Sequence, residues 1–456
     1  MVDFLLVLLT LAVIAFVAYL VIHKYNTLFV FLITGVLILL VYTICTQKSI
    51  MPANARSGNI YMDVFGFVAQ QFSTTMSEVG AMIMSVTGYA AYMSNLKASE
   101  KLAYYAVKPL RKLKSPYIVL SAVFILCTVL KLAITSQSAL SLLLLATVFP
   151  IFMALGINSL TAASLLTLGA MDFGPNEGSS IYMAQLAKMP VMEMFMKYQG
   201  PIVLITTIIL AFVIPFYYKR VDQKAEENGE QSATQRQEVE NPDCPGWYAL
   251  LPALPLVILI VWSFVPKAQP NVVAANFIGI VFVALVELIR KHKTPAKVAE
   301  QMGVVFKAMG DSFTNVVSII ICASIFAAGI KDMGGITIMA DAISNLHGAS
   351  ILTAILMGLI TFLAAIIMGS GSASWFAFAP LVPSIASKLS INSLGIMMPM
   401  ELGSSIGRSI SPVAGCTIAI SGYAGVDVVK MVKRSAPLLV LQFIIVLVIT
   451  AFMLLV

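Results

Sequence analysis

The chain has 456 residues, of which 59% are hydrophobic and only 11% charged, and its mean hydropathy is +0.95. That excess excludes a soluble globule, because it supplies many segments of the roughly 20 apolar residues that cross a bilayer. The formal charge of +7 does not indicate nucleic acid, since the basic residues sit in short loops beside apolar runs, where they orient a membrane protein.

The first apolar run, "FLLVLLTLAVIAFVAYLVI" over 4–22, lacks a basic lead and a small-residue cleavage site and is longer than a signal-peptide core. It reads as a retained helix. Further spans are expected at 27–45, 76–94, 201–218, 247–266, 271–290 and 436–456, with longer interrupted blocks at 116–190 and 304–425. The basic loops "HK" at 23, "KASEKLAYYAVKPLRKLK" at 97–114, "KRVDQK" at 219, "RKHKTPAK" at 290 and "KMVKR" at 430 should all be cytoplasmic. They share one side only if 116–155 leaves and re-enters the same face, and a similar return is required on the far face over 349–390. Each block is therefore expected to be a re-entrant helical hairpin with a polar tip, "TSQSA" at 135–139 and "GSGSA" at 369–373. Both termini then fall on the outer side of a bacterial inner membrane.

The hydrophilic run 219–246, rich in Glu, Gln and Asn, reads as a flexible cytoplasmic linker. It divides the chain into halves that echo one another in order. "GYAAYMSNL" (88–96) parallels "IFAAGIKDM" (325–333), the two tips parallel each other, and "GINSL" (156–160) parallels "SINSL" (390–394). "GPNEG" (174–178) likewise parallels "SPVAG" (411–415), and "KYQGP" (197–201) parallels "KRSAP" (433–437). Because the first hairpin opens to the cytoplasm and the second to the outside, the repeats have inverted topology, the plan of a secondary transporter with a midplane site. The expected fold is all-α and polytopic. Scaffold helices occupy 1–75 and 247–303; repeat 1 is 76–218, with its hairpin at 116–155 and a broken helix at 159–188. Repeat 2 is 304–456, with its hairpin at 349–390 and a broken helix at 393–423. Backbone freed at such breaks cannot face lipid, so it must line protein or a wet cavity.

Charges inside these interruptions mark the site. Arg408, deep in "SSIGRSISP", suits a substrate carboxylate, with pairing to Glu401 as the structural alternative. Lys131, one turn from the first tip, is a second cation for substrate or a salt-bridge partner of Asp172 or Glu177. The substrate-binding candidates are Arg408, Lys131, Ser136, Ser138, Gly369, Ser370, Gly371, Ser372, Ser411 and Asn176. Thr135, Asp172, Glu177, Glu401, Ser404 and Ser405 are candidates for a coupling Na+ or H+. Asp311 and Asn315 share a helix face or lie at the membrane surface, while the run "MPVMEMFM" reads as packing and Trp375 as packing or a cover over the site. The five cysteines and three histidines are scattered without CxxC or ligand spacing, so neither a disulfide framework, a metal nor a cofactor is indicated. No catalytic dyad speaks for an enzyme, and hairpins meeting at a closed site suit occlusion better than a channel.

The tip "GSGSASWFAF", the stretch "SIGRSISPVAG", "GDSFTNVV" and the early "GYAAYM" together resemble the DcuC-type anaerobic C4-dicarboxylate carriers of the ion transporter superfamily, over nearly the whole chain. The resemblance implies a scaffold domain and a mobile transport domain, a homodimer, an elevator-like step, and substrates such as fumarate, succinate and malate. It also implies that Ser136, Ser138, Ser370 and Ser372, with Arg408 and Ser411, line the site. The expected function is secondary active transport of small dicarboxylates, by exchange or cation-coupled symport. An amino-acid or other charged-metabolite carrier is the alternative, with Asp172 or Glu177 meeting an ammonium group.

Overall fold

The structure is a computed structural model that describes residues 2–23, 25–109, 115–169, 171–227, 241–263, 271–290, 295–334, 338 and 349–455. Every regular element among the described residues is helical. Helices α1 (Val2–Ile22) and α2 (Thr27–Thr46) precede α3 (Ile60–Thr75), which continues through a π turn at Met76–Gly80 into α4 (Ala81–Asn95) and is followed by α5 (Ala98–Val107). Then come α6 (Pro116–Lys131), α7 (Gln137–Thr147), α8 (Phe149–Ala154), α9 (Ser159–Leu168) and α10 (Gly178–Leu186). The short α11 (Val191–Met194) leads through Phe195–Gln199 into α12 (Gly200–Glu227). The second half contains α13 (Leu254–Ser263), α14 (Val272–Arg290), α15 (Pro295–Ser312), α16 (Ser318–Asp332), α17 (Ala349–Met368), α18 (Gly371–Phe378) and α19 (Val382–Leu389). It ends with α20 (Ser393–Ile410), α21 (Gly415–Ala424) and α22 (Val428–Leu454).

Six helical stretches among the described residues are long and apolar enough to cross a membrane: Thr27–Thr46, Val191–Lys224, Val272–Ile289, Val298–Asp332, Ser350–Met368 and Val428–Leu454. Their outer faces carry Phe29, Leu37, Leu204, Phe212, Phe216 and Phe452 in the open, as a lipid solvent allows and water does not. The chain is a multi-pass membrane protein. One continuous core runs from Val79 in the first half to Val446 in the second. The halves interlock, with α2 against α16, α4 against α15, α7 against α21, and both α9 and α12 against α22.

Two boundaries differ from the sequence reading. The helix expected to begin at 76 begins at Ile60, where Asn59 Oδ1 accepts from the N–H groups of Tyr61 and Met62. α12 runs to Glu227, past the expected linker start at 219, because Tyr218 and Asp222 are still buried in the core. Residues 228–240 of that linker lie outside the described residues, as do 335–337 and 339–348 before α17. Within 393–423, where a broken helix is expected, the chain is helical through Pro399, Glu401, Gly403 and Arg408 and leaves helix at Ser411–Ala414. Its glycines explain this tolerance: a Cβ on Gly407 would stand 2.3 Å from the Phe362 carbonyl oxygen, so the bare backbone lets α20 close onto α17.

Candidate functional site

Two interruptions of helix and the ends of two further helices line one cavity of about 440 Å³. Between α6 and α7 the chain leaves helix over residues 132–136, and Thr135, Ser136 and Gln137 line the cavity. Between α9 and α10 it is unwound, and Asp172, Glu177 and Ser179 face the same space. α20 contributes Arg408 from its last turn, α18 contributes Ser372 and Phe376, and α4 closes the far wall with Thr87 and Ser94. A second cavity of about 430 Å³ lies between Tyr25, Asn26, Thr314, Asn315 and Ser370.

Asp172 is the electrostatic centre. Its carboxylate accepts from Arg408 Nη1 at 2.8 Å and Nη2 at 3.3 Å, a bidentate fork, and meets Lys131 Nζ at 2.8 Å on the other side. Lys131, on the last residue of α6, also donates to the Thr135 carbonyl and stands 3.8 Å from Glu177 Oε2. Removing one partner from a buried pair of this kind costs about 3–5 kcal/mol, because the charge left behind has no water to turn to. Glu177 Oε2 is buried without a hydrogen-bond donor in reach. Within the cavity and directly behind it, therefore, two cations stand against two carboxylates, and Asp172 takes both cations for itself.

The second cluster lies beneath. Glu401, fully buried, accepts from Ser179 Oγ at 2.7 Å, Gln199 Nε2 at 3.3 Å and Ser180 Oγ at 3.5 Å. Gln199 is itself fixed, since its Oε1 accepts from the Gly174 N–H at 3.0 Å and its Nε2 donates to Ser180 Oγ at 2.8 Å. Among the described residues no group of three acidic, histidine or cysteine side chains is placed to hold a metal ion.

The expected residues divide sharply under this geometry. Arg408, Ser136, Ser372, Thr135, Asp172 and Glu177 line the cavity. Lys131 does not: it is fully buried behind Asp172, so its salt-bridge alternative is the one observed. The Arg408–Glu401 pairing gives way to Arg408–Asp172, because α20 stays helical and sets the two side chains in different clusters. Ser404 and Ser405 each donate to a carbonyl of their own helix, that of Glu401 and that of Leu402, at 2.8 Å, and neither lines the cavity. Ser411 ends the helix: its hydroxyl accepts from the Val413 N–H and its carbonyl from Thr417 Oγ1 at 2.6 Å. Asn176 Oδ1 accepts from Asn276 Nδ2 at 3.2 Å and ties the unwound stretch to α14. Ser370 caps α18, accepting from the Ala373 N–H at 3.2 Å, and faces the second cavity, as does Asn315; Asp311 is exposed, and its carbonyl accepts from Asn315 Nδ2. Gly369 (φ +68°) makes the turn ahead of it, and Gly371 lies so close to α20 that a Cβ would meet the Ser404 carbonyl oxygen at 2.9 Å. Trp375 is fully buried against Tyr182 and packs; Phe376 reaches the cavity instead. Ser138 lies in α7, but its side chain is outside the described residues. The sequence reading missed Gln137, Ser179, Ser180 and Gln199, whose signal was a polar side chain beside Gly, Ser or Pro in an apolar block.

Comparison with known proteins follows the same line. The DcuC family, C4-dicarboxylate anaerobic carrier, matches residues 5–455. The anaerobic C4-dicarboxylate transporter DcuC of Escherichia coli K12 is 29% identical over 99% of this chain and 98% of its own. The probable anaerobic C4-dicarboxylate transporter DcuC of Vibrio cholerae is 28% identical over 92% of each chain. The solved YdaH transporter of Alcanivorax borkumensis is 14% identical, with a TM-score of 0.45 over 94% of this chain and 99% of that one, a likeness too weak to carry an argument. The family is one of transporters and not of enzymes, and this chain belongs to it: it is a member of the DcuC family of anaerobic C4-dicarboxylate carriers.

Proposed function

We propose that the protein is a secondary active transporter of C4-dicarboxylates such as fumarate, succinate and malate in a bacterial inner membrane, working by exchange or by cation-coupled symport. The observation that carries this reading is Arg408, a buried guanidinium on the wall of a cavity of about 440 Å³ lined with the hydroxyls of Thr135, Ser136 and Ser372. A planar fork of N–H donors matches a carboxylate, and hydroxyls supply hydrogen bonds for a second carboxylate where water is scarce. Asp172 holds that fork and is the group a substrate carboxylate would displace or share.

Alternating access would move this site by an elevator-like step, with the 116–155 and 349–390 segments as re-entrant hairpins of two inverted repeats, each carrying one broken helix. In that arrangement 1–75 and 247–303 form the scaffold of a homodimer, and both termini lie outside. Supporting it are the helix breaks on both sides of the cavity and the order of matching sequence pieces in the halves. The test is counterflow of labelled succinate into proteoliposomes loaded with unlabelled C4-dicarboxylates. Uptake should be saturable and should vanish in Arg408→Ala while the variant stays monodisperse; retained uptake in that variant would sink the carboxylate role.

A second reading has one observation in its favour. Glu177 Oε2 is buried at the cavity without a hydrogen-bond donor, as an ammonium-bearing substrate would require. Inhibition of counterflow by aspartate or ornithine in preference to fumarate would select it.

A further inference from the structure

Glu401 stands apart from every other charge in the site. It is fully buried on α20 and touches three neutral groups, Ser179, Ser180 and Gln199, with no ion pair among the described residues. An ionised carboxylate so placed bears the whole desolvation cost of a buried charge. The surroundings are poor for a metal cation. The Gly174 N–H fixes the Gln199 amide so that its NH2, a donor, is turned toward the carboxylate. They suit a proton, because a carboxyl O–H formed on Glu401 can donate back to Ser179 Oγ, 2.7 Å away, so that both charge states have hydrogen-bond partners. Ser179 is also a wall residue of the cavity. A single hydroxyl thus touches both the water-accessible space and the buried acid.

We propose that Glu401 is the proton-binding site that couples transport to the proton gradient, loaded from the substrate cavity through the Ser179 hydroxyl. The proposal rests on the reading of that cavity as the substrate site. In the transfer a hydronium in the cavity forms a new O–H bond on Ser179 while the old one breaks and its proton bonds to Glu401 Oε1. Water, an unchanged serine and a neutral carboxyl remain, and unloading is the reverse.

The charged groups around Glu401 explain the coupling. The unwound stretch brings Asp172, held by Lys131 of α6 and Arg408 of α20, and Glu177 stands at the head of α10. α9, α17 and α18 carry no charged residue. On the other helices packed against α20, Lys388 of α19 and Lys430 and Lys433 of α22 are exposed, and Arg434 of α22 is paired with Asp222. Arg408 and Lys131 are thus balanced by Asp172 and Glu177 before substrate arrives, and a dianion entering that neutral cluster is bound more cheaply when the acid beneath it is uncharged.

The test uses the full chain in proteoliposomes with the membrane potential clamped. One coupled proton is worth about 1.4 kcal/mol per pH unit, so an inside-alkaline gradient of about one unit should raise wild-type accumulation of labelled succinate about tenfold. Glu401→Gln keeps the shape and the hydrogen bonds; it should keep succinate counterflow while losing that gain entirely. Infrared difference spectra form a second arm that needs no substrate, and the wild-type protein at neutral pH should show a protonated-carboxyl stretch that Glu401→Gln removes. Retention of the pH-driven gain in Glu401→Gln, a gain driven by a Na+ gradient and not by pH, or an infrared band unchanged by the substitution would each overturn the proposal. Absence of wild-type counterflow would instead break the dicarboxylate reading, with the infrared arm still deciding the proton site.

Discussion

Two buried Arg–Asp pairs hold this protein together, and they differ in a way that separates function from architecture. Arg434 Nη1 donates to Asp222 Oδ1 at 3.1 Å and to Thr161 Oγ1 at 2.8 Å, Tyr117 OH lies 3.5 Å from Asp222 Oδ2, and Tyr217 OH donates to the Arg434 carbonyl at 2.8 Å. That cluster binds α6, α9 and α12 of the first half to α22 of the second, with Arg434 against Asp222 and the hydroxyls of Thr161 and Tyr117 beside them among the described residues. None of its members lines the cavity. Arg408–Asp172 has the same chemistry, but its aspartate is shared with Lys131 and its arginine faces about 440 Å³ of open space. A pair set between helices of the two halves, away from the cavity, is a clamp. One carboxylate stretched between two cations on a cavity wall, with Glu177 completing the charge balance, is a site whose guanidinium can turn to an incoming anion.

The comparison breaks most directly on the two arginines. Arg408→Ala should lower the initial rate of dicarboxylate counterflow by two orders of magnitude or more, since about 3 kcal/mol lost from a buried charge-assisted contact is a factor of over 100. Arg434→Ala should instead reduce the yield of monodisperse protein, by leaving Asp222 buried without its cation, and should leave the KM of the surviving fraction unchanged. Rates normalised to folded protein by size-exclusion fluorescence separate the two, and equal effects on KM would dissolve the distinction. Next in size is Asp172→Asn, which keeps the shape but frees the guanidinium fork. Dicarboxylate binding in detergent should tighten by about tenfold, or 1.4 kcal/mol, while net uptake slows, because the site without substrate must then cross with one uncompensated cation. Weaker binding in Asp172→Asn would mean that the aspartate positions the arginine for substrate and does not compete with it.

The legible and illegible parts of the molecule follow from what a sequence can display. Apolar length is a property of residues alone, so the membrane class and the all-helical character could be read directly from segments such as 27–45 and 271–290. Arg408 and Asp172 stood out because charge within an apolar block is costly wherever the chain puts it. What each charge touches was not legible. Lys131 and Arg408 converge on Asp172 from helices 277 positions apart in sequence, and only the packing of α6, α9 and α20 brings them together. Where within 393–423 the chain would leave helix was not legible either: α20 carries Pro399, Gly395, Gly403 and Gly407 yet stays helical to Ile410, and the bare backbone of Gly407 allows close contact with α17. The same packing sent the hydroxyls of Ser404 and Ser405 back to their own carbonyls, leaving Ser179 from the other half to meet Glu401.

The smallest expected effect lies within the tip of the second half, where two serines two positions apart have been given opposite tasks. Ser370 accepts from the Ala373 N–H at the start of α18 and looks into the second cavity, whereas Ser372 lies on the wall of the first. An N-cap lost to alanine costs about 1 kcal/mol, so Ser370→Ala should lower the melting temperature by about 1 °C and leave the KM for succinate unchanged. Ser372→Ala removes a hydrogen-bonding hydroxyl from the cavity wall without removing a cap. It should leave the melting temperature unchanged and raise KM by about three- to tenfold, the worth of one neutral hydrogen bond of about 1 kcal/mol. Thermal unfolding and counterflow on the same two preparations read both quantities. If Ser370→Ala raises KM and Ser372→Ala does not, the substrate meets the second cavity first, and the wall on which Arg408 stands is not where the dicarboxylate is held.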